Sequence, residues 1–166
     1  MGESELTRDF RSESELVDFA TELGPRVHGC RPLLIGLRGD LGAGKTTWVR
    51  ALLRGLGYRG RVPSPTYTLL EEYSLDGLEV IHLDLYRLAH EQELENLGVR
   101  DWLARPDTWV IVEWPERAPR LEEQCDLGVT LIDRGGTERT LTLVARTHGG
   151  IRALQAARQR DSKYRR

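Results

Sequence analysis

Residues 39–48 read GDLGAGKTTW, and Gly39, Gly44, Lys45 and Thr46 meet the spacing G-x4-G-K-S/T. Those residue types at that spacing suit one task, holding the phosphate chain of a nucleotide. Glycines let a tight loop turn its backbone N–H groups onto phosphate oxygens. A helix that starts directly after the loop adds unpaired N–H groups and the positive end of its dipole. On this reading Asp40, Leu41, Gly42, Ala43, Gly44, Lys45, Thr46 and Thr47 wrap the phosphates. Lys45 reaches the β- and γ-phosphates, and the Thr46 hydroxyl ligates Mg2+. The basic residues of the chain are 22 Arg and only 2 Lys, so a lysine in this slot is informative.

Such a loop needs a second acid at the end of a neighbouring strand, to hold Mg2+ or its water shell. Two apolar runs end in one: VIHLD at Asp84 and VIVE at Glu113. Glu113 is assigned the metal, and Asp84 the attacking water, which it would orient or deprotonate; the opposite division of labour stays open. His82 shares a strand face with Asp84 and reads as a core histidine. SPTY, residues 64–67, offers the hydroxyls of Ser64 and Thr66 where a loop could sense the γ-phosphate. Trp114, beside Glu113, reads either as part of that site or as a core aromatic.

The elements that must carry these residues follow from periodicity. Ser12 and Glu15 stand at capping-box spacing before Leu16, Phe19, Ala20 and Leu23, so a helix starts there, with Gly24-Pro25 expected to end it. PLLIGLRG is a buried strand, and Trp48, Val49, Leu52, Leu53 and Leu56 form the apolar stripe of a helix that Gly57 ends. Two strands about Asp76-Gly77 form a hairpin. A short helix ends at Gly98, TWVIVEWP is the next buried strand, and a last strand pair joins through Gly135-Gly136. The expected fold is α/β: a P-loop NTPase-like three-layer domain, its mixed β-sheet flanked by helices. One domain is expected over residues 1–148, and a basic tail, helical or frayed, over 149–166.

The composition, 39% apolar and 30% charged, fits one globular domain. No apolar run approaches the roughly 18 residues of a membrane span, and the acidic start MGESELTRDF is unlike a secretory signal. The expectation is a cytoplasmic protein whose two cysteines, Cys30 and Cys125, are idle thiols. Net charge is −2, yet the last sixteen residues carry six basic side chains against one acid. That tail suits RNA or an acidic partner, or is simply a solvated terminus. The single Asn, Asn96, precedes Leu and so makes no N-K-x-D guanine reader; no L-S-G-G-Q signature is present either. Arg100, Arg105, Arg117 and Arg120 could serve a stand-alone kinase of a small metabolite, though no lid pattern surrounds them. For the base, the stretch around Phe10 and the Arg134–Arg139 loop are both candidates.

Taken together and in order, GDLGAGKTT, SPTYTLLEEY, HLDLYRL and VIVEWPER closely resemble the bacterial TsaE (YjeE) ATPases, over roughly residues 10–145. The resemblance implies an ATPase subunit for N6-threonylcarbamoyladenosine on tRNA, at the adenosine next to the anticodon. It implies ATP and Mg2+ as cofactors and a TsaD–TsaB heterodimer as partner, with tRNA met through that complex and no membrane. Hydrolysis, weak alone, would support the heterodimer's repeated turnover. By the same resemblance Lys45 and Thr46 take the phosphate and Mg2+ roles, Glu113 the metal, and Asp84 a role in hydrolysis. Ser64 and Thr66 match a switch-like segment, and Trp114 an E-W pair.

Overall fold

A computed structural model describes residues 4–159. Its strands are β1 (Glu5–Phe10), β2 (Leu33–Arg38), β3 (Leu70–Leu75), β4 (Leu78–Asp84), β5 (Thr108–Glu113), β6 (Leu127–Gly135) and β7 (Glu138–Ala145). Its α-helices are α1 (Glu13–Val27), α2 (Lys45–Gly55), α3 (Gln92–Leu97), α4 (Val99–Leu103), α5 (Pro119–Glu122) and α6 (His148–Arg158). All seven strands join one sheet in the order β1-β7-β6-β2-β5-β4-β3. The centre, β6-β2-β5-β4, is parallel; β7 and β1 close one edge antiparallel, and β3 the other.

The central strands are buried almost end to end because helices cover both faces. On one face Leu16, Ala20, Trp48, Val49, Leu52 and Leu154 of α1, α2 and α6 pack on Ile35, Leu37, Trp109 and Ile111. On the other, Leu94, Val99, Trp102 and Leu121 cover Leu34, Ile81, Leu83, Val110 and Val112. Each such side chain contributes about 1.5–3 kcal/mol by leaving water. The result is the expected three-layer α/β domain with a mixed sheet.

Two local expectations are corrected. The described chain begins with a strand rather than a helix: β1 pairs with β7 from Glu5↔Val144 to Phe10↔Arg139. Only Leu6 and Phe10 of β1 are buried, so it shows little of the apolar alternation that marks a strand. Gly24-Pro25 does not end α1, which continues to Val27. Gly24 is instead a point of close approach. A Cβ there would lie 2.7 Å from the Leu52 carbonyl oxygen, and one on Gly55 only 1.9 Å from that of Thr21. Thr21 is four residues before Pro25, so its carbonyl has no helical N–H to accept and abuts α2. The start of α1 is as expected: Ser12 Oγ accepts from Glu15 N at 3.2 Å, while Glu15 Oε2 accepts from Arg11 N at 2.8 Å.

The basic C-terminal run enters as α6, capped by Thr147 and burying Ala153, Leu154 and Ala157. Arg160, Lys163, Arg165 and Arg166 lie outside the described residues. Among the described residues no helix is long and apolar enough to cross a membrane. Both cysteines are free thiols.

Candidate functional site

β2 delivers the chain to the glycine loop, and α2 begins at Lys45. Gly42 (φ 80°) and Gly44 (φ 105°) take left-handed backbone, where an L side chain would be strained. Their turns bring the N-terminus of α2 round onto the loop. Lys45 Nζ donates to the carbonyls of Gly39 (2.5 Å) and Asp40 (3.0 Å) and lies 4.4 Å from the centroid of the Trp114 ring. Burial pushes its pKa down, and the charges of Glu113 and Asp84 work against that.

The parallel pairing of β4 with β5 sets Asp84 opposite Glu113. Asp84 is 4% exposed and Glu113 1%, a depth at which carboxylates need partners. Glu113 Oε1 accepts from the Thr46 hydroxyl at 3.3 Å, and Oε2 faces His82 Nε2 at 3.2 Å. Asp84 Oδ1 accepts from Tyr86 N at 2.9 Å, and Oδ2 from the Thr66 hydroxyl at 2.9 Å. Thr66 in turn meets Ser64 Oγ at 2.8 Å. Burial lifts the Asp84 carboxyl above the usual carboxylate range, and the Glu113 charge adds to it; Tyr86 N–H and the Thr66 hydroxyl pull the other way.

These groups surround one pocket of about 250 Å³, lined by Leu41, Gly42, Gly44, Lys45, Thr46, Thr47, Ser64, Thr66, Asp84, Glu113 and Trp114. Asp40 and Ala43 do not line it; they enter through their backbones, Asp40 O holding Lys45 and Ala43 O accepting from Arg139 Nε at 3.2 Å. The donors suit Mg2+. A hydroxyl and a carboxylate stand side by side, and Mg2+ takes its other oxygens from phosphates and water rather than from an all-protein cage. Among the described residues no cluster of three or more His, Cys, Asp or Glu forms such a cage.

The family model "Threonylcarbamoyl adenosine biosynthesis protein TsaE" matches residues 10–141. The chain belongs to the TsaE family. It is 38% identical to the tRNA threonylcarbamoyladenosine biosynthesis protein TsaE of Haemophilus influenzae, across 91% of this chain and 96% of that one. Identity to the Bacillus subtilis protein of the same name is 36%, over 68% of this chain and 69% of that one. The crystal structure of Bacillus subtilis YdiB superposes with a TM-score of 0.71 at 24% identity, covering 92% and 93% of the two chains, a likeness of fold.

In this TsaE-family chain four further residues line the pocket: Glu13, Leu16, Tyr86 and Arg139. Helix periodicity marks Leu16 only as core, and nothing local marks Glu13. Tyr86 lies within HLDLYRL and meets Trp114 in a tilted ring contact, with centroids 5.1 Å apart. The two candidate stretches for the base, around Phe10 and over Arg134–Arg139, adjoin. Thr137 Oγ1 donates to Arg11 O at 2.7 Å, and Phe10, Arg11, Arg134 and Arg139 line one hollow.

Proposed function

We propose that the chain is the ATPase subunit of the machinery that makes N6-threonylcarbamoyladenosine on tRNA, at the adenosine next to the anticodon. It binds the TsaD–TsaB heterodimer in the cytoplasm, meets tRNA through that complex, and supports repeated turnover by hydrolysing ATP. Family membership and the names carried by the Haemophilus and Bacillus relatives support this reading. The observation that carries it is the 2.9 Å hydrogen bond from Thr66 to Asp84, which ties the 64–67 loop to a buried acid that lines the same pocket as the glycine loop.

The residues then act as follows. Lys45 gives up the Gly39 and Asp40 carbonyls and turns its ammonium to the β- and γ-phosphates. Thr46 and Glu113 hold Mg2+, which when bound neutralises charge on the β/γ oxygens. Asp84, whose raised pKa makes it a better base than an ordinary carboxylate, orients the attacking water and takes its proton. Thr66 reports loss of the γ-phosphate through its bond to Asp84. Such a loop does work on a partner only if the partner prefers one nucleotide state.

The test is ATP turnover of the purified chain with Mg2+, alone and with TsaD–TsaB. Slow turnover that rises with the heterodimer is the expected result. ATP left intact in every mixture, or phosphate transferred to a small metabolite, overturns the reading.

A further inference from the structure

His82 is fully buried on β4, two residues before Asp84 and across from β5. In the sequence it is an ordinary member of an apolar strand. In the structure its Nε2 lies 3.2 Å from Glu113 Oε2, while Nδ1 has no hydrogen-bond partner among the described residues. The ring therefore spends its one polar contact on the carboxylate whose other oxygen faces Thr46 at 3.3 Å. A glutamate's terminal torsion is broad and roughly two-fold, so packing alone does not fix the plane of its carboxylate. Here one oxygen is tied to a rigid ring, and the other is left to point at the loop.

We propose that His82 is a positioning residue: by donating from Nε2 to Glu113 Oε2 it aims Glu113 Oε1 at the Mg2+ position beside Thr46. This rests on the assignment of Glu113 to the metal in the proposed function. The tautomer follows from geometry, since the nitrogen that faces a carboxylate is the one that carries the proton. Without the ring, Oε2 is a buried carboxylate oxygen with no donor, which is costly. The carboxylate then rotates to share the Thr46 hydroxyl between its oxygens and gives up the orientation a small octahedral ion requires. Outer-shell partners of this kind change metal affinity by about 10–100-fold when removed.

The test uses the full chain saturated with ADP and Mn2+ as the spin-visible stand-in for Mg2+. Mn2+ affinity is read by electron paramagnetic resonance, and ADP affinity separately in EDTA. His82→Phe keeps a ring of similar size without the donor, His82→Leu is a second donor-free variant, and His82→Gln restores an N–H on a side chain of similar reach. Expected are Mn2+ affinity about 10–100-fold weaker in the donor-free variants and recovery to within about 3-fold in His82→Gln, with metal-free ADP affinity unchanged. In a Glu113→Gln background, His82→Phe should add no further loss. Wild-type Mn2+ affinity in a folded donor-free variant overturns the proposal, as does an equal loss of Mn2+ and metal-free ADP binding. A wild type that binds ADP but shows no Mn2+ site removes the metal assignment itself and the proposal with it.

Discussion

Replacing Asp84 by Asn separates what this carboxylate does for chemistry from what it costs the fold. The side chain is 4% exposed and opposite Glu113, and burial is the main reason its pKa is raised. Asn keeps the shape. Its Oδ1 can still accept from Tyr86 N, and its amide can donate to Thr66 Oγ1, which donates onward to Ser64; each neutral bond contributes about 1 kcal/mol. What is lost is the proposed base, so if Asp84 has that role hydrolysis should fall by about 10²–10⁴-fold, or about 3–5 kcal/mol of barrier. Nucleotide affinity should hold, because the loop and Lys45 are untouched. The effect on stability has a definite sign. A carboxyl whose folded pKa lies above its unfolded value contributes stability that is present below the unfolded pKa and lost as pH rises through the folded one. At pH 7, above the unfolded pKa, the wild type bears that loss and the Asn variant bears none. The variant should therefore melt higher at pH 7, each 1 kcal/mol of gain appearing as about 2–4 °C. The gap should close towards pH 4, near the ordinary Asp pKa of about 3.9. Scanning calorimetry across pH with single-turnover hydrolysis measures both effects. A variant that melts lower at pH 7, or a gap that widens in acid, would refute the reasoning.

Lys45→Ala removes the ammonium that the loop carbonyls and Trp114 hold in place; titration should show ATP affinity reduced at least about 10-fold, or about 1.4 kcal/mol. Thr66→Val deletes the donor to Asp84, so turnover and partner stimulation should fall together while ATP affinity stays, and Thr66→Ser should restore both. Gly55→Ala would set a Cβ 1.9 Å from the Thr21 carbonyl oxygen. Because that atom is backbone, α1 and α2 must separate, and denaturant melts should show about 1–3 kcal/mol or more of destabilisation.

The glycine loop and the two acids were legible because their chemistry is local: a motif of fixed spacing and two apolar runs, each ended by a carboxylate. What lies across from each residue was not. Arg139 reaches Ala43 over 96 residues of sequence, through a hairpin whose position only the sheet order decides. His82 is the core histidine its strand predicts, fully buried; strand periodicity names its face and not its neighbour, and Glu113 becomes that neighbour through the parallel register of β4 and β5. The end of α1 departs from its sequence signal for a related reason. Gly24-Pro25 is a stop signal in isolation, yet Gly24 and Gly55 permit a helix contact whose packing carries α1 on to Val27. β1 gave two inward residues, and its ladder is supplied by β7 from the far end of the chain.

The backbone around the acids shows the same preference for placement over stability. The described chain has two non-glycine residues in left-handed conformation, Leu69 (φ 67°) and Trp114 (φ 59°). Leu69 O accepts from Asp84 N at 3.1 Å, and Trp114 directly follows Glu113, its own N donating to Leu37 O at 3.3 Å. Each such conformation costs about 1–3 kcal/mol and persists only where its surroundings over-determine it. At Leu69 the turn folds the 64–67 loop back so that Thr66 meets Asp84. At Trp114 it ends β5 sharply and leaves the indole over Lys45 instead of in the following turn. Strained Trp114, two buried carboxylates and a desolvated lysine thus line one pocket, with strained Leu69, outside that lining, holding Asp84 N, and each is a cost the rest of the sheet must offset. A nucleotide that pairs Lys45 with phosphate and, through Mg2+, balances Glu113 relieves part of that cost. On the proposed function, the energy released on binding would be available to reset the 64–67 loop, which is the physical requirement for a switch that acts on a partner.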